Sequence, residues 1–429
     1  MDKYSFFYKV PDNWCWTKLG KITSIIGGGT PSSKINEYYD NGDIAWITPS
    51  DLSNYNNMYI SKGKKMITKL GLMKSSAKLL PKGTVCLSSR APIGYVVIAK
   101  NELSTNQGFK SFLPSKVFKS EYLYWYLKSI KHILEAKASG TTFLELSAKK
   151  AGEVEIPLPP INEQQRIVNR IESLFAKLDR AKELIENTLA QFEQNKMAIL
   201  HKAFTGELTV KWRKKNNIDL SSWKKYELKE VFKVVKDKYN PQIENQIVNY
   251  IGLENIETSK GIINKNNSSE VKSIKTKFKK DDVLYGKLRP YLNKHDVVNF
   301  DGICSTDILV FRFDNINTAK YINYYFNLPM FIQYAVENSS GINLPRVSEK
   351  TISKYKISLP IIEEQQEIVN ILDRLLAKYN KIKNLEQQLE KIELLKKAIL
   401  AKAFRGELGT NNPDEESAEN LLKEILAEK

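Results

Sequence analysis

INEQQRIVNRIESLF occupies residues 161–175, and nearly the same letters return as IEEQQEIVNILDRLL at residues 362–376. Glu163 maps onto Glu364, 201 positions further along a chain of 429 residues. The duplication extends in both directions. Downstream, KMAILHKAFTGEL (196–208) recurs as KKAILAKAFRGEL (396–408). Upstream, EIPLPP (155–160) is echoed by KISLPI (356–361), and SGTTFLELS (139–147) by SGINLPRVS (340–348). Further back, Trp14 followed by Leu19 and Ile22 matches Trp223 followed by Leu228 and Val231. Two repeats of this length are too few and too long for a solenoid. They describe a duplicated two-part unit, a globular segment followed by a helix.

The helical part is legible from its period. Ile167, Ile171, Leu174, Leu178, Ala181, Ile185, Thr188, Phe192, Asn195 and Ile199 alternate spacings of four and three. That is a heptad seam, which calls for a partner helix. Asn162 with Gln165 resembles a capping box after Pro160, and Gly206 stands where a C-terminal cap belongs. A helix of about 42 residues spans roughly 60 Å. The second copy presents Ile368, Leu372, Leu375, Tyr379, Ile382, Leu385, Leu389, Ile392 and Ile399, after Pro360 and up to Gly406. Its offset falls from 201 to 200 around Ile382 to Leu385, so one residue is missing and the seam is disturbed there. So long an apolar seam is not stable alone in water. Its partner is either its own copy, paired antiparallel about a pseudo-two-fold axis, or the same helix of a second chain.

The globular segments read as α+β. GDIAWITPSDL, GTVCLSSRAPIGYVVIA and GFKSFLP in the first, and NYIGLENIE, DDVLYGKLRPYLNK and DILVFRF in the second, read as strands and turns. EYLYWYLKSIKHILEAK and KYINYYFNLPMFIQYAV read as aromatic-rich helices packed on a sheet, with core aromatics favoured over base-stacking platforms.

Composition narrows the function classes. With 42% hydrophobic and 27% charged residues the chain is globular, and each half can bury its own core. No stretch approaches the roughly 18 apolar residues of a membrane span. Charge and Pro11 interrupt the N-terminus, which does not read as a signal peptide. Cys15, Cys86 and Cys304 form no CxxC spacing, so a reduced, cytoplasmic chain with neither disulfide nor zinc is expected. The net charge is +17, although residues 411–429 hold six acids and only two lysines. A surplus of that size favours a polyanionic partner, nucleic acid first.

Enzyme constellations do not stand out. His132, His201 and His295 are scattered, without an HExxH or a triad order. Gly27, Gly28 and Gly29 in IIGGGTPSSK lack the GxxxxGK[ST] spacing of a phosphate loop, and Pro31 points to a plain loop. A base-flipping methyltransferase needs a Gly-rich cofactor turn and an aromatic-proline loop, and Pro159–Pro160 serves a strand-to-helix junction instead. Pairs such as Glu227/Lys229 and Glu270/Lys272 are too common to mark a nuclease.

A Trp-led start, a strand–turn segment such as GDIAWITPSDL, a PLPP–EQQ–IV junction and a long helix closing in AILxKAFxGEL, all given twice, resemble the specificity subunit of type I restriction–modification systems. The resemblance covers nearly the whole chain, including ESAENLLKEI at residues 416–425. It implies a non-catalytic subunit with two α/β target-recognition domains separated by a pair of long antiparallel coiled-coil helices. Each domain reads one half of a bipartite double-stranded DNA target. The helices are a spacer and a docking surface for two methyltransferase subunits, joined by restriction/translocase subunits. No cofactor is expected on this chain, with S-adenosylmethionine, ATP and Mg on the partners. The competing interpretation is a coiled-coil adaptor with only nonspecific DNA binding. Expected boundaries are 1–160 for the first recognition domain, 161–207 for the central helix, 208–361 for the second domain, 362–408 for the distal helix and 409–429 for an acidic tail helix.

Candidate DNA contacts follow from side-chain type. Lys62, Lys64 and Lys65 in SKGKK suit phosphates. Ser88, Ser89 and Arg90 follow an apolar strand and could face a groove. Asn106 and Gln107 carry the amide geometry that suits adenine. In the second domain, Lys287 and Arg289 take the place of Ser88 to Arg90. Ser305, Thr306 and Asp307 take the place of Asn106 and Gln107, with Asp307 also able to cap a turn or orient Arg289. Arg346 stands where the first copy has Glu145. No metal ligands are expected.

Overall fold

The structure, a computed structural model, describes residues 8–140, 144–244, 246–258, 260–380 and 383–427, and of 378–380 and 383–384 the backbone alone. Residues 1–7, Thr141 to Phe143 of the SGTTFLELS echo, Ile382 and the side chain of Tyr379 therefore lie outside the described residues. The chain divides into two compact units, Met1–Leu184 with Gln387–Lys429, and Ile185–Glu386.

Unit 1 is built on a five-stranded sheet. Its order is Ile25–Gly27, Phe109–Phe112, Val85–Ser89, Ile93–Ala99, Tyr59–Ile60. Alternation along the strands assigns each face. Val85, Leu87, Val96 and Ile98 enter the larger core, whereas Cys86, Val97 and Ala99 enter a smaller one. The larger core is closed by the helix Ser120–Ser129, whose Tyr122, Leu123, Tyr124, Trp125, Tyr126 and Leu127 are all buried. These aromatics are core, as their spacing suggests. A second sheet, Lys65–Ile67, Ile44–Ile47, Ser104–Thr105, pairs its last two strands in parallel.

Unit 2 repeats the plan. Its central sheet runs Lys233–Val234, Ile308–Arg312, Val283–Gly286, His295–Val297. Val283, Tyr285 and Phe311 face the larger core, and Leu284 and Val310 the smaller. The parallel pair recurs as Asn249–Ile251 with Gly302–Cys304, inside a five-stranded sheet. The aromatic segment forms two helices, Ile316–Tyr325 and Pro329–Glu337, because Pro329 supplies a new first turn. His295 is buried against Phe326 and Tyr285, and its ring donates through Nδ1 to Asn323 Oδ1 at 2.7 Å. Burial pulls its pKa down from 6.5 to about 4, against the opposing effect of the hydrogen bond to Asn323.

The helix Ile161–Phe204 belongs to both units, and Ile362–Asn380 and Lys383–Ala403 form its copy. In unit 1 Asp179 pairs with Lys396 at 2.5 Å and Lys182 with Glu393 at 3.5 Å, so the two helices run antiparallel there. Of the seam in Ile161–Phe204 only Ile167 and Ile171, which enter the unit 1 core, are fully buried, whereas in the copy Ile368, Leu372 and Ile392 are buried. Leu174, Leu178, Ala181, Ile185, Thr188, Phe192 and Ile199 are half-covered and Asn195 is exposed. The heptad seam finds its partner helix, as its period requires, and its cover varies along its length. A two-helix contact covers less of each side chain than a sheet plus two helices does.

The EQQ motif is the bolt of each unit. Glu163, fully buried, accepts from the Trp14 indole at 2.8 Å and from Asn411 Nδ2 at 2.9 Å. Glu364, also fully buried, accepts from the Trp223 indole at 3.0 Å, from Thr209 Oγ1 at 2.6 Å and from Arg213 Nη1 at 2.5 Å. Each carboxylate thus ties the matching tryptophan of its repeat, Trp14 or Trp223, to the stretch that follows a long helix. Gln164 Nε2 donates to the carbonyls of Val117 and Pro159, and its Oε1 accepts from the Lys119 N–H. Gln365 donates to Pro360 and accepts from Thr318. The capping box expected between Asn162 and Gln165 does not form. Helix geometry already begins at Ile161, and the Gln165 amide turns along the helix to Asn169 at 3.0 Å.

The AILxKAFxGEL ending is explained in the same terms. Phe404 meets Tyr122 and Tyr126 edge-on at 5.4 and 5.0 Å in unit 1. Phe204 meets Tyr321 and Tyr325, both at 5.0 Å, in unit 2. Gly206 and Gly406 take φ of +80° and +75°, the left-handed stop of a helix. The tail helix Ala418–Ala427 packs Ala418 and Leu422 into the unit 1 core. Arg166 holds Glu415 through two bonds of 2.7 and 2.8 Å, which lowers the Glu415 pKa.

Candidate nucleic-acid interface

In unit 1 three segments converge beside the sheet: the end of strand Val85–Ser89, the turn after Ser104–Thr105, and residues 139–146 without the undescribed three. Main-chain bonds lock them. The Ser89 N–H donates to Gly108 O at 2.7 Å, Leu146 to Ser89 O at 2.9 Å, Asn106 to Ile47 O at 3.0 Å and Phe109 to Asn106 O at 3.2 Å. Ser139 and Glu145 exchange bonds of 3.1 and 3.0 Å.

Unit 2 repeats this frame bond for bond. Lys287 donates to Asp307 O at 2.9 Å, Val347 to Lys287 O at 3.0 Å, Ser305 to Ile251 O at 2.9 Å and Ile308 to Ser305 O at 3.0 Å. Ser340 and Arg346 exchange bonds of 2.9 and 2.8 Å. The bonds define the true correspondence. Ser89 matches Lys287, Asn106 matches Ser305, Gly108 matches Asp307 and Glu145 matches Arg346. Arg90 then matches Leu288, and Lys110 matches Leu309. The alignment of Lys287 and Arg289 with Ser88 to Arg90 is one residue out, because identical letters cannot reveal a shift that only the ladder fixes.

The side chains on this frame differ. In unit 1 Glu145 holds Lys110 Nζ at 3.1 Å through one oxygen and approaches Arg90 at 3.7 Å through the other. Lys110 is nearly buried and also reaches Ser89 Oγ at 3.3 Å. In unit 2 Arg346 Nε donates to Asp307 Oδ1 at 3.0 Å. Asp307 therefore orients Arg346 and not Arg289. Its own N–H turns back to Ser305 Oγ at 3.3 Å.

Several expected contacts are placed on the surface. Lys62, Lys64 and Lys65 are exposed, with the Lys64 N–H fixed on Asp51 at 2.9 Å and Lys65 Nζ 5.9 Å from the Tyr39 ring. Gln107 and Thr306 are exposed at equivalent turn positions. Gln107 Oε1 accepts from Thr30 Oγ1, and Asn106 Oδ1 caps its own turn at the Gly108 N–H, 2.9 Å away. Ser305 caps the matching turn. Lys287 is half-exposed, and Arg289 is exposed with φ +52°, pinned by its N–H to Pro345 O at 2.7 Å.

Ser88 and Ser89 need correction. Both are fully buried. Ser88 Oγ donates to Pro92 O at 2.7 Å and accepts from the Tyr95 N–H at 2.8 Å, while Ser89 Oγ donates to Gly108 O at 3.1 Å. These hydroxyls satisfy a strand end and a turn, and present nothing outward.

The cluster also contains Lys110 and Glu145, which no motif in the sequence marks. The signal available was faint: a lysine among the apolar residues of GFKSFLP. The triple glycine also gains a role. A Cβ on Gly28 would lie 2.1 Å from Asn106 O, and one on Gly29 2.2 Å from the Ala77 nitrogen. Only glycine allows this strand end to cross the Asn106 turn and deliver Thr30 to Gln107.

Comparison with known proteins completes the picture. The family described as "Type I restriction modification DNA specificity domain" matches residues 11–191 and 221–394. The MjaIX type I restriction enzyme specificity subunit of Methanocaldococcus jannaschii is 31% identical over 418 residues, 93% of this chain and 94% of that one. A chain from a solved type I R-M system, studied for complex assembly and conformational transition, superposes with a TM-score of 0.69 at 19% identity, covering 94% of this chain and all of that one. The HsdS subunit of Thermoanaerobacter tengcongensis gives 0.59 at 19% identity, covering 93% and 98%.

Proposed function

We propose, for a chain that belongs to the type I restriction–modification specificity subunits, that each unit reads one half of a bipartite duplex target through its frame of locked main-chain bonds. The observation that carries this reading is the duplication of that frame with solvent-accessible cations on both copies, Arg90 on the first and Lys287, Arg289 and Arg346 on the second. Lys62, Lys64, Lys65, Lys287 and Arg289 neutralise phosphates and set register. Arg90 and Gln107 in unit 1, with Thr306 and Arg346 in unit 2, reach base edges, the arginines suiting guanine and the glutamine adenine. The chain assembles with other subunits of its system. The paired helices serve as spacer and as the docking surface for two methyltransferase subunits that bring S-adenosylmethionine. Restriction subunits bring ATP and Mg. Among the described residues no helix is long and apolar enough to cross a membrane.

Replacing residues 1–157 with the matching segment of a relative tests this reading. Mapping of methylated adenines in cells that also express the methyltransferase partners should show one half-site changed and the other retained. Simultaneous change of both halves, or of neither, defeats it. In direct binding, removal of Lys62, Lys64 and Lys65 should flatten the salt dependence by about 0.9 logarithmic units for each phosphate no longer neutralised, with sequence preference unchanged.

A further inference from the structure

We infer that Asp307 and Glu145 are positioning residues for the reading cations: carboxylates that aim Arg346 and Arg90 and do not themselves contact DNA. The inference rests on the reading just given and adds to it the source of each arginine's geometry.

A carboxylate in a cationic, DNA-facing cluster carries the wrong sign for phosphate. Both units nevertheless place one there, and at different positions of the same frame. Asp307 stands where unit 1 has Gly108, and Glu145 stands where unit 2 has Arg346. The acid has moved with the cation it serves. Where the arginine comes from the loop (Arg346), the acid comes from the turn. Where the cations come from just past one strand end (Arg90) and from the adjoining strand (Lys110), the acid comes from the loop. A fixed structural role would have left the acid at one frame position.

The bond geometry suits aiming. Arg346 is held by its inner Nε, at 3.0 Å from Asp307 Oδ1, and Nη1 makes only a 3.4 Å contact with Leu344 O. The outer guanidinium edge remains available for the two-pronged contact that guanine accepts. Asp307 is anchored in turn, since its N–H donates to Ser305 Oγ and its carbonyl accepts from Lys287. Arginine loses rotamer freedom on binding, and a partner that removes it beforehand sharpens discrimination. Arg90 lies 3.7 Å from Glu145 against 3.0 Å for the unit 2 pair, so the aim is tighter in unit 2.

The test uses the full chain expressed with its methyltransferase partners and read by methylome mapping. Asp307→Asn should leave the first half-site intact and relax one base pair of the second, with preference there falling about tenfold. Arg346→Gln should relax the same base pair, and Asp307→Glu should restore it. Glu145→Gln should relax one base pair of the first half-site by a smaller factor. The melting temperature of each assembled complex is measured alongside. If Arg346→Gln relaxes the second half-site and Asp307→Asn does not, the positioning role is wrong and the reading role of Arg346 stands. If neither variant alters the second half-site, the assignment of the frame to base reading fails as well. A uniform loss of methylation with a lowered melting temperature, not rescued by Asp307→Glu, assigns Asp307 to structure and overturns the inference.

Discussion

Unit 1 and unit 2 set different chemistry on one skeleton. At five matched positions unit 1 carries Ser89, Arg90, Gly108, Lys110 and Glu145, and unit 2 carries Lys287, Leu288, Asp307, Leu309 and Arg346. No position is shared, yet each set has two cations and one acid. The skeleton survives because its bonds are made by main-chain groups, which every residue supplies, proline lacking only the N–H donor. Local charge balance and backbone geometry are thus maintained while the side chains on the frame are exchanged outright. The two EQQ bolts differ in the opposite sense. Their side chains are alike, but Glu364 faces a buried arginine, and among the described residues Glu163 faces only neutral donors within hydrogen-bonding distance.

That difference can be broken by mutation. Glu364→Ala leaves Arg213, 7% exposed, without its counter-charge. Loss of one partner of a buried pair costs about 3–5 kcal/mol, so unit 2 should unfold well before unit 1 in denaturant. Glu163→Ala removes hydrogen bonds to neutral groups and should cost unit 1 about 1–3 kcal/mol. Equal effects measured by two-transition unfolding would show that the bolts are equivalent.

A smaller asymmetry is one of acid sensitivity. His295 stands opposite Tyr285, and the matching register position of unit 1 is Val96, opposite Leu87. The His295 pKa is depressed in the folded state, so the unfolded chain binds the extra proton first. Stability is full above pH 6.5, falls as pH drops from 6.5 towards about 4, and the loss is complete below that. The difference amounts to at most about 3 kcal/mol. Calorimetry between pH 7 and 4 should show the unit 2 transition falling faster, and His295→Val should remove the excess. A transition unaffected by His295→Val contradicts the assignment.

The weakest contrast concerns the tail. Unit 1 borrows residues 409–427 to cover Glu163, whereas unit 2 covers Glu364 with a segment inside the chain. Arg166→Ala removes a half-exposed bidentate pair worth about 0.5–1 kcal/mol. Limited proteolysis should then cut near Glu415 several-fold faster, with both half-sites still read. An unchanged cleavage rate means that Leu422 and Ala418 hold the tail unaided.

Repeat, helices and strand-rich segments were legible because each rests on a period or on recurring letters. The role of Glu163 was not, since its partners Trp14 and Asn411 lie 149 and 248 positions away. Among the site residues, Lys62, Lys64, Lys65, Gln107 and Thr306 are exposed, whereas Asn106 and Ser305 are half-buried turn caps. Ser88 and Ser89 failed because a serine at a strand end looks the same whether its hydroxyl points outward or closes a turn. Glu145 drew attention only as the residue that Arg346 replaces, as nothing local to the sequence brings it to Lys110.

The grip of Gln164 has a consequence for descent. Among the described residues its three side-chain bonds all go to main-chain atoms, at Val117, Pro159 and Lys119. A joint that grips main chain is blind to the side chains it holds. Gln164 therefore tolerates any side chain at Val117 and Lys119 that keeps the chain in place, whereas the same segment remains bound by its side chains at Trp14, Tyr122 and Tyr126. Gln365 depends in part on the Thr318 hydroxyl. The second segment should accordingly retain serine or threonine there in its descendants, one letter of inheritance that the first segment is free to lose.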